Sequence, residues 1–361
     1  MISFTSKSRG ACFGVLLLAG SWSSAQQDAP VAAQPAKAAA ASPAHAPERI
    51  GIDVLVTGKD GKLVADLEPP DFALFDNGQP RKILNFRRTD GAAGNRIDPP
   101  VEVIILLDAV NLSYQAVTLQ RLKIEEFLRR NDGHLAQPTS LFLFSSQGLR
   151  VQPAPSRDGN ALAKALDDST GTVRARDLSG GIYSLLEQFK DSFKTMNGIA
   201  ENEARKPGRK ILIWIGPGWP LLTERYFIQN SESRQSYFEQ LIALSNKLRE
   251  ARVTVYNVAP VVGITRNLYT GYLKPVTDFH KMEIGDLALE VLAVHTGGRV
   301  LDPSNDLPGL LADCIADIGP YYTLTFAAPP AAHPGEYNEL RVQVGQPGMT
   351  ARTISGYYHQ P

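Results

Sequence analysis

The sequence predicts an α/β protein with a doubly wound, mostly parallel central sheet and small β segments on both flanks. Three observations lead to this prediction. A run of buried-type residues ends at an acid, Asp108, in the segment VEVIILLDAVNLS (101–113). Strand-like and helix-like segments then alternate over 101–318, which is typical of a parallel sheet covered on both faces. Before and after this stretch, only strand-like alternation occurs.

The first 25 residues have the features of a secretory signal peptide. Lys7 and Arg9 precede a short apolar run, ACFGVLLLAG, and small residues follow up to Ala25. The apolar run is shorter than the roughly 20 residues that a membrane-spanning helix needs. We therefore expect cleavage near Ala25 and an exported protein, periplasmic or secreted, with no transmembrane segment in the mature chain. A short N-terminal membrane anchor is the alternative.

Two β units are expected to flank the α/β region. Residues 26–47 are rich in alanine and proline, which predicts a linker. Residues 48–90 form the first β unit, because IGIDVLV alternates with the period of a half-buried strand. In the same unit, Asn77-Gly78 suits a two-residue hairpin turn. Residues 321–358 form the second unit, and the sequence leaves open whether the two units pair.

The region 101–318 is expected to form the central domain. Its apolar runs and helical spacings define the elements in chain order. The expected strands are 101–108, 139–145, 149–151 (an antiparallel edge), 209–216, 253–258 and 299–301. The expected helices are one after Ser113 and those over 161–166, 182–193, 237–248, 284–294 and 307–318.

Composition and motifs narrow the function classes. The 361 residues carry 37 basic and 37 acidic side chains, without a basic stripe, so no nucleic-acid partner is expected. The sequence has no Gly-x-Ser-x-Gly, His-Glu-x-x-His or nucleotide-binding glycine motif, and no two of its six histidines have metal-ligand spacing. These observations favour a protein that is not an enzyme.

Three segments together resemble a known family. They are IDVLVTGKDGKLVADLEPPDFALFDNGQPRKILNF near the N-terminus, the strand end LLDAVN, and the closing YYTLTF, LRVQV and GMTARTISGYY. This combination resembles the VWFA-related proteins common among exported acidobacterial proteins, over roughly residues 48–358. The resemblance implies a von Willebrand factor A-like domain at 101–318. It implies a fold more than a function.

Domains of this family often hold Mg²⁺ or Mn²⁺ with an Asp-x-Ser-x-Ser segment, a later Thr and a later Asp. Asp108 matches the first ligand, but Val110 and Leu112 stand at the two Ser positions. Ser179 offers a hydroxyl in place of the Thr, and Gly216 stands where the Asp is expected. The resemblance therefore implies a degenerate metal site with no cofactor. The alternative interpretation of Asp108 is that it binds N–H groups of the turn at the helix start.

The favoured hypothesis is an exported, non-enzymatic protein-interaction or adhesion-type module. Its unknown protein partner would lie in the envelope or outside the cell, and its candidate contact residues are Asp108, Ser179, Trp219 and Arg225. Packing of Trp219 over the sheet edge is an equal alternative for that side chain. Two other functions stay open: a Mg²⁺- or Mn²⁺-dependent adhesion domain that uses Asp108, Asn111 and Ser113, and an exported hydrolase of unrecognised type that uses Asp108 or His280.

Overall fold

A computed structural model describes residues 48–95, 97–170, 181–219, 230–259, 268–302 and 304–360. The predicted signal peptide (1–25) and linker (26–47) lie outside these residues. The described part contains a mixed α/β core with a mostly parallel seven-stranded sheet and two flanking antiparallel sheets. None of its helices combines the length and the apolar character that crossing a bilayer demands.

The described residues begin with four strands that pair with antiparallel neighbours: β1 (Arg49–Thr57), β2 (Phe72–Asp76), β3 (Gln79–Arg81) and β4 (Asn85–Asp90). Strands β2 and β3 form the hairpin that the Asn-Gly pair predicts. Asn77 and Gly78 both take positive φ angles, 48° and 75°, and the strands pair directly on either side of them. Two consecutive positive φ angles are what a type I′ turn requires, so the asparagine and glycine set this register.

The described residues of the central region then supply seven strands and six helices. The strands are β5 (Glu102–Asp108), β6 (His134–Ser145), β7 (Gly148–Val151), β8 (Ser156–Asp158), β9 (Lys210–Ile215), β10 (Val253–Val258) and β11 (Val300–Leu301). The helices are α1 (Tyr114–Leu128), α2 (Gly159–Thr170), α3 (Gly181–Glu203), α4 (Ser231–Glu250), α5 (Leu289–His295) and α6 (Leu307–Ile315). Short 3-10 turns lie at Arg130–Gly133, Leu268–Tyr272, Phe279–Lys281 and Ile284–Leu287, and one precedes β2 at Pro69–Asp71.

The central sheet has the order β11-β10-β9-β5-β6-β7, with β8 also paired to β6. The first five strands of this order are parallel, and β7 and β8 are antiparallel edges. Alternate residues of β5 enter different cores. Val103, Ile105 and Leu107 pack with α1, α2 and α6, whereas Ile104 and Leu106 pack with α3, α4 and α5. Helices therefore cover both faces of the sheet, as the alternation of elements predicts.

One predicted helix is broken. The segment 284–294 was expected to be a single helix, but Ala288 has extended angles (φ −61°, ψ 143°) between the 3-10 turn at 284–287 and α5. The turn is closed instead by Glu283 and Asp286, whose side chains bond each other's backbone N–H groups. Local side-chain bonds of this kind compete with helix continuation, which helical spacing of apolar residues does not reveal.

The two flanking β units form one sandwich. The last strands are β12 (Pro320–Ala327), β13 (Tyr337–Val344), β14 (Thr350–Arg352) and β15 (Gly356–Tyr358). They interleave with the N-terminal strands in two sheets, β14-β1-β12-β4 and β15-β13-β2-β3. Ile52, Leu74, Leu324 and Val342 share one hydrophobic core between these sheets. Each unit is too small to bury such a core alone, so the chain ends depend on each other.

Arg252 ties the sandwich to the amino ends of the parallel strands. It follows α4, and its guanidinium makes two bonds to Asp53 of β1, of 2.9 and 2.7 Å, and a third to the fully buried Asp98. The Arg252 guanidinium also lies over the ring of Tyr321, on β12 of the sandwich, with 5.9 Å between its Cζ atom and the ring centroid. Burial disfavours the charge, but Asp53 and Asp98 outweigh it and raise the pKa of Arg252 above its ordinary value.

Candidate functional site

The candidate site lies at the carboxyl edge of the parallel sheet, where ligands bind in open α/β sheets. Asp108 is the last residue of β5, which lies between β6 and β9 in the sheet. A short turn follows, and Ser113 begins α1 as its N-cap: its hydroxyl accepts the Ala116 N–H at 3.3 Å. Ser113 is exposed. The alternative metal site combines Ser113 with the buried Asp108. In the structure the Ser113 hydroxyl is used at the start of α1 instead.

The Asp108 carboxylate is fully buried and accepts four hydrogen bonds. Oδ1 accepts the backbone N–H groups of Val110 and Asn111 at 3.0 and 2.9 Å. Oδ2 accepts the Asn111 side-chain amide at 2.8 Å and the indole N–H of Trp214, on β9, at 2.9 Å. These donors occupy directions in which a cation would approach the two oxygens. Asp108 thus binds the N–H groups of the turn, as the alternative interpretation of this residue expected.

Burial and hydrogen bonding act in opposite directions on Asp108. Burial is the larger effect and raises the pKa of the carboxyl above its ordinary value, while the bonds from Asn111, Trp214 and Val110 lower it. A buried carboxylate costs free energy unless donors compensate it. The four donors are therefore the reason that this acid can stand at the end of a core strand.

Asn111 connects this turn to α3. Its amide also donates to the Ser192 hydroxyl at 2.9 Å, so one NH₂ group bridges Asp108 and the helix. The Asn111 carbonyl oxygen is buried and accepts no hydrogen bond from the described residues. Asn111 was a candidate metal ligand next to Asp108, and the structure does bring the two together. Their contact is a hydrogen bond in which the amide faces the carboxylate.

Gly216 packs directly against Asp108. A Cβ atom at Gly216 would lie 2.8 Å from the Asp108 Cβ and 3.0 Å from Oδ2. The aspartate that the family resemblance implies at this position would therefore collide with the side chain it should assist. Glycine is required here by close approach.

Gly216→Ala is expected to lower the free energy of unfolding by about 2 kcal/mol. The new methyl group would press on the Asp108 side chain, which cannot move without breaking the hydrogen bonds that its carboxylate accepts. Urea unfolding of the variant measures this. The control substitution is Gly198→Ala, because Gly198, in α3, has open space around its Cβ position. Gly61 also has open space, but its positive φ would strain an alanine. Gly198→Ala should therefore be neutral or stabilising. Equal stability of wild type and Gly216→Ala would contradict the close packing.

Two of the predicted contact residues, Ser179 and Arg225, lie outside the described residues. His280, named for the hydrolase alternative, is exposed and its ring stacks on Phe279 with 3.8 Å between centroids. In the part of the chain that the structure describes, no group of three or more His, Cys, Asp or Glu side chains could hold a metal ion.

Trp219 was a candidate contact residue, with packing over the sheet edge as an equal alternative, and the structure places its side chain in the core. Its side chain is 3% exposed and packs edge-on against Trp214, with 5.5 Å between ring centroids. Its indole N–H donates to the Leu287 carbonyl at 2.7 Å. Gly218, with φ 79°, turns the chain so that the ring enters the core. A tryptophan after a strand fits an interface and a core equally well, and here its N–H finds a buried acceptor.

Asp286, next to Leu287, makes this region sensitive to pH. Burial raises the pKa of Asp286 from the ordinary 3.8 to about 7, against the bond from the Glu283 N–H. The folded protein therefore holds this proton more tightly than the unfolded chain does. The stabilisation is complete below pH 4 and is lost as the pH rises through about 7.

Asp286→Asn is expected to raise the free energy of unfolding at pH 8 by roughly 2–4 kcal/mol relative to wild type, and to change it little at pH 4. The asparagine still accepts the Glu283 N–H, so the turn is kept. Urea unfolding of both proteins at the two pH values gives the difference directly. A difference that does not grow between pH 4 and pH 8 would contradict the raised pKa.

Sequence reasoning missed two exposed tyrosines at this edge. Tyr114, at the first position of α1, is 66% exposed, and Tyr183, in the first turn of α3, is 78% exposed. Tyr183 precedes Ser192, the partner of Asn111, by nine residues. At 1.5 Å per residue, Tyr183 therefore lies about 13 Å along the α3 axis from Ser192. Tyr183 falls outside the apolar stripe of α3, a signal that the sequence could have provided, whereas Tyr114 lies three residues before Val117, in line with the apolar stripe of α1.

No protein-family model matches the chain, and no curated protein matches it. Among solved structures, it is similar to the human COPII-coat protein Sec24c, with 9% identity and a TM-score of 0.32 over 76% of this chain and 46% of that one. It is also similar to the pilus adhesin SpaC from Lactobacillus rhamnosus GG, with 10% identity and a TM-score of 0.34 over 82% and 49%.

A third similarity is to proximal thread matrix protein 1 from the mussel byssus, with 15% identity and a TM-score of 0.28 over 58% of this chain and 49% of that one. The chain spans about half the length of each of these three structures. All three TM-scores are low, so none of these similarities identifies the fold of this chain.

Proposed function

We propose that this chain is an exported, non-enzymatic protein-interaction module with a von Willebrand factor A-like domain, and that it binds a protein partner without a cation. The surface is the carboxyl edge of the parallel sheet, defined by the exposed residues Ser113, Tyr114 and Tyr183. One observation carries the proposal: the position of the first family metal ligand is committed to four internal donors, while the two helices that begin at the same edge of the sheet expose Tyr114 and Tyr183.

The exposed tyrosines support a protein partner. Tyrosine is enriched at protein interfaces because its ring buries much apolar area and its hydroxyl still forms a hydrogen bond. Tyr114 lies on the face of the sheet covered by α1 and Tyr183 on the opposite face, so a partner that touches both would span the sheet edge.

Site-specific photo-crosslinking tests the proposal. A photoreactive amino acid at Tyr114 or at Tyr183 should crosslink one partner of the same mass in the native envelope or secreted fraction. The matched control is position Leu84, which is 49% exposed but lies on the sandwich. Crosslinks that are equally strong at Leu84, or absent at both tyrosines, would contradict the surface.

Repeating the crosslinking with a metal chelator distinguishes cation-independent binding from metal-dependent adhesion. The crosslinks at Tyr114 and Tyr183 should persist in excess EDTA, because no cation bridges the partner in this account. Crosslinks that disappear with EDTA and return with Mg²⁺ would instead favour the metal-dependent adhesion domain that uses Asp108, Asn111 and Ser113.

A further inference from the structure

Helix α1 is apolar on two opposite faces. Its inner face, with Val117, Ile124 and Leu128, packs into the core between the helices and the sheet. On its outer face, Leu119 and Leu122 are 53% and 50% exposed. In the part of the chain that the structure describes, no other helix exposes two large aliphatic side chains. A surface helix normally has a polar outer face, so the second apolar face of α1 indicates a contact with another molecule.

The two exposed leucines form a single patch. Residues three positions apart on a helix are neighbours, with Cβ atoms about 5–6 Å apart. Helices α2 and α6 both contact α1 on this side of the sheet, so the patch lies within a surface built by three helices. Single apolar side chains scattered over a surface are common, whereas adjacent ones on one helix face favour contact with a protein.

The polar side chains around this patch differ between the two halves of α1. In the first half, Gln115 is exposed and Thr118 half-buried, and both are uncharged. In the second half, the side chains of Lys123 and Glu126 are 36% and 52% exposed and form an ion pair of 3.0 Å. The outer face of α1 therefore has an uncharged half and a charged half, with the leucines between them.

These halves are complementary when two copies of α1 pack antiparallel about a two-fold axis. In a two-fold contact, if one residue faces a second, the second also faces the first. With the axis between Leu119 and Leu122, each Leu119 faces Leu122 of the other copy. Each Lys123 then faces the uncharged Thr118 of the other copy. The apolar patch thus covers itself, and no like charges meet.

The same arrangement brings Glu126 to Gln115, in the first turn of the other helix. The N–H groups at a helix start favour a nearby negative charge, so this contact is attractive. A parallel arrangement would instead place each Lys123 against Lys123 and each Glu126 against Glu126. Like charges that face each other across an interface cost free energy, so the charge pattern selects the antiparallel arrangement.

We propose that this chain forms a symmetric homodimer through antiparallel packing of the outer faces of α1. The 15 residues of α1 span about 22 Å, so the interface belongs to the small and weakly associating class. We expect a dissociation constant on the order of 10–100 µM. The dimer does not depend on the proposed partner surface at the carboxyl edge, and either one can fail without the other.

Sedimentation equilibrium of the protein in the form that its cells produce tests the proposal. Between about 2 and 500 µM, we expect a shift from monomer to dimer. No larger species should appear, because a two-fold contact closes on itself. A chain that stays monomeric over this range, or that assembles beyond a dimer, would overturn the proposal.

Leu122→Glu should weaken the dimer by about tenfold or more while the chain stays folded, because the side chain is half-exposed in the monomer. Leu119→Gln, which keeps a good helix former at its position, should weaken it as well. The matched control is Leu84→Glu, since Leu84 is 49% exposed and lies on the sandwich. Undiminished association of Leu122→Glu, or an equal loss for Leu84→Glu, would overturn the proposal.

Two substitutions of Thr118 test the antiparallel arrangement. Thr118→Glu places an acid opposite Lys123 of the other copy and should tighten the dimer by roughly two- to fivefold at low salt. Thr118→Lys places two cations together and should weaken it by a similar factor. Both effects should shrink as the salt concentration rises. Weaker association for both variants is the result of a parallel arrangement and would overturn the antiparallel dimer.

Discussion

Asp108→Ala is expected to lower the free energy of unfolding by about 4 kcal/mol, with or without Mg²⁺. The substitution leaves four donors without an acceptor, from Val110, Asn111 and Trp214, in a site that the carboxylate fills completely. Each stranded buried donor costs about 1–3 kcal/mol, and partial relaxation keeps the total below the sum. Urea unfolding of wild type and variant measures the loss.

A double-mutant cycle separates the carboxylate from simple cavity formation. Trp214→Phe keeps an aromatic ring but removes the N–H that Oδ2 accepts, so it leaves one acceptor site of Asp108 unused. The coupling between Asp108→Asn and Trp214→Phe should reach about 1 kcal/mol or more, since the two side chains are in direct contact. Strictly additive effects, or a loss below about 1 kcal/mol for Asp108→Ala, would mean that the network is not what holds this edge.

Arg252→Ala is expected to lower the free energy of unfolding by about 3 kcal/mol, because it leaves Asp53 and the buried Asp98 without their shared partner. Arg252 also has a left-handed backbone, with φ 54°, after the end of α4, where glycine is the usual residue. An arginine held there against steric cost indicates that its side chain is what the junction needs.

The backbone and side-chain effects of Arg252 can be told apart. Arg252→Gly should be about 1 kcal/mol more stable than Arg252→Ala, because glycine adopts the positive φ without strain, yet both should be clearly less stable than wild type. Arg88→Ala, at an exposed position on β4, should change stability by less than about 0.5 kcal/mol. Urea unfolding resolves all three. A variant Arg252→Gly that matches or exceeds wild type would contradict the ionic junction.

Local patterns in the sequence predicted most of the central sheet. The run that ends at Asp108 forms β5, α1 begins directly after Ser113, and, outside the central sheet, the Asn77-Gly78 turn joins β2 to β3. Each of these features depends on residues only a few positions apart, so a single stretch of sequence contains the whole signal. Leu149 to Val151 likewise form the antiparallel edge that their short run predicts.

Features that depend on distant partners could not be predicted in this way. The pairing of β13 with β2 joins residues more than 260 positions apart, and no local pattern sets that register. Whether Trp219 faces solvent depends on the distant acceptor at Leu287. The stabilising role of Arg252 likewise depends on Asp53, far away in the sequence. The same limit applies to the site: Asp108 was visible as a strand end, but its bond to Trp214 was not.

We infer that the Asp108 carboxylate binds the turn and Trp214 rather than a cation. Electron paramagnetic resonance of Mn²⁺ titrated into the wild-type protein tests it most directly, because bound and free Mn²⁺ give different spectra. We expect no stoichiometric Mn²⁺ binding up to about 1 mM and identical titrations for wild type and Asp108→Asn. One Mn²⁺ bound per chain that Asp108→Asn abolishes would contradict it.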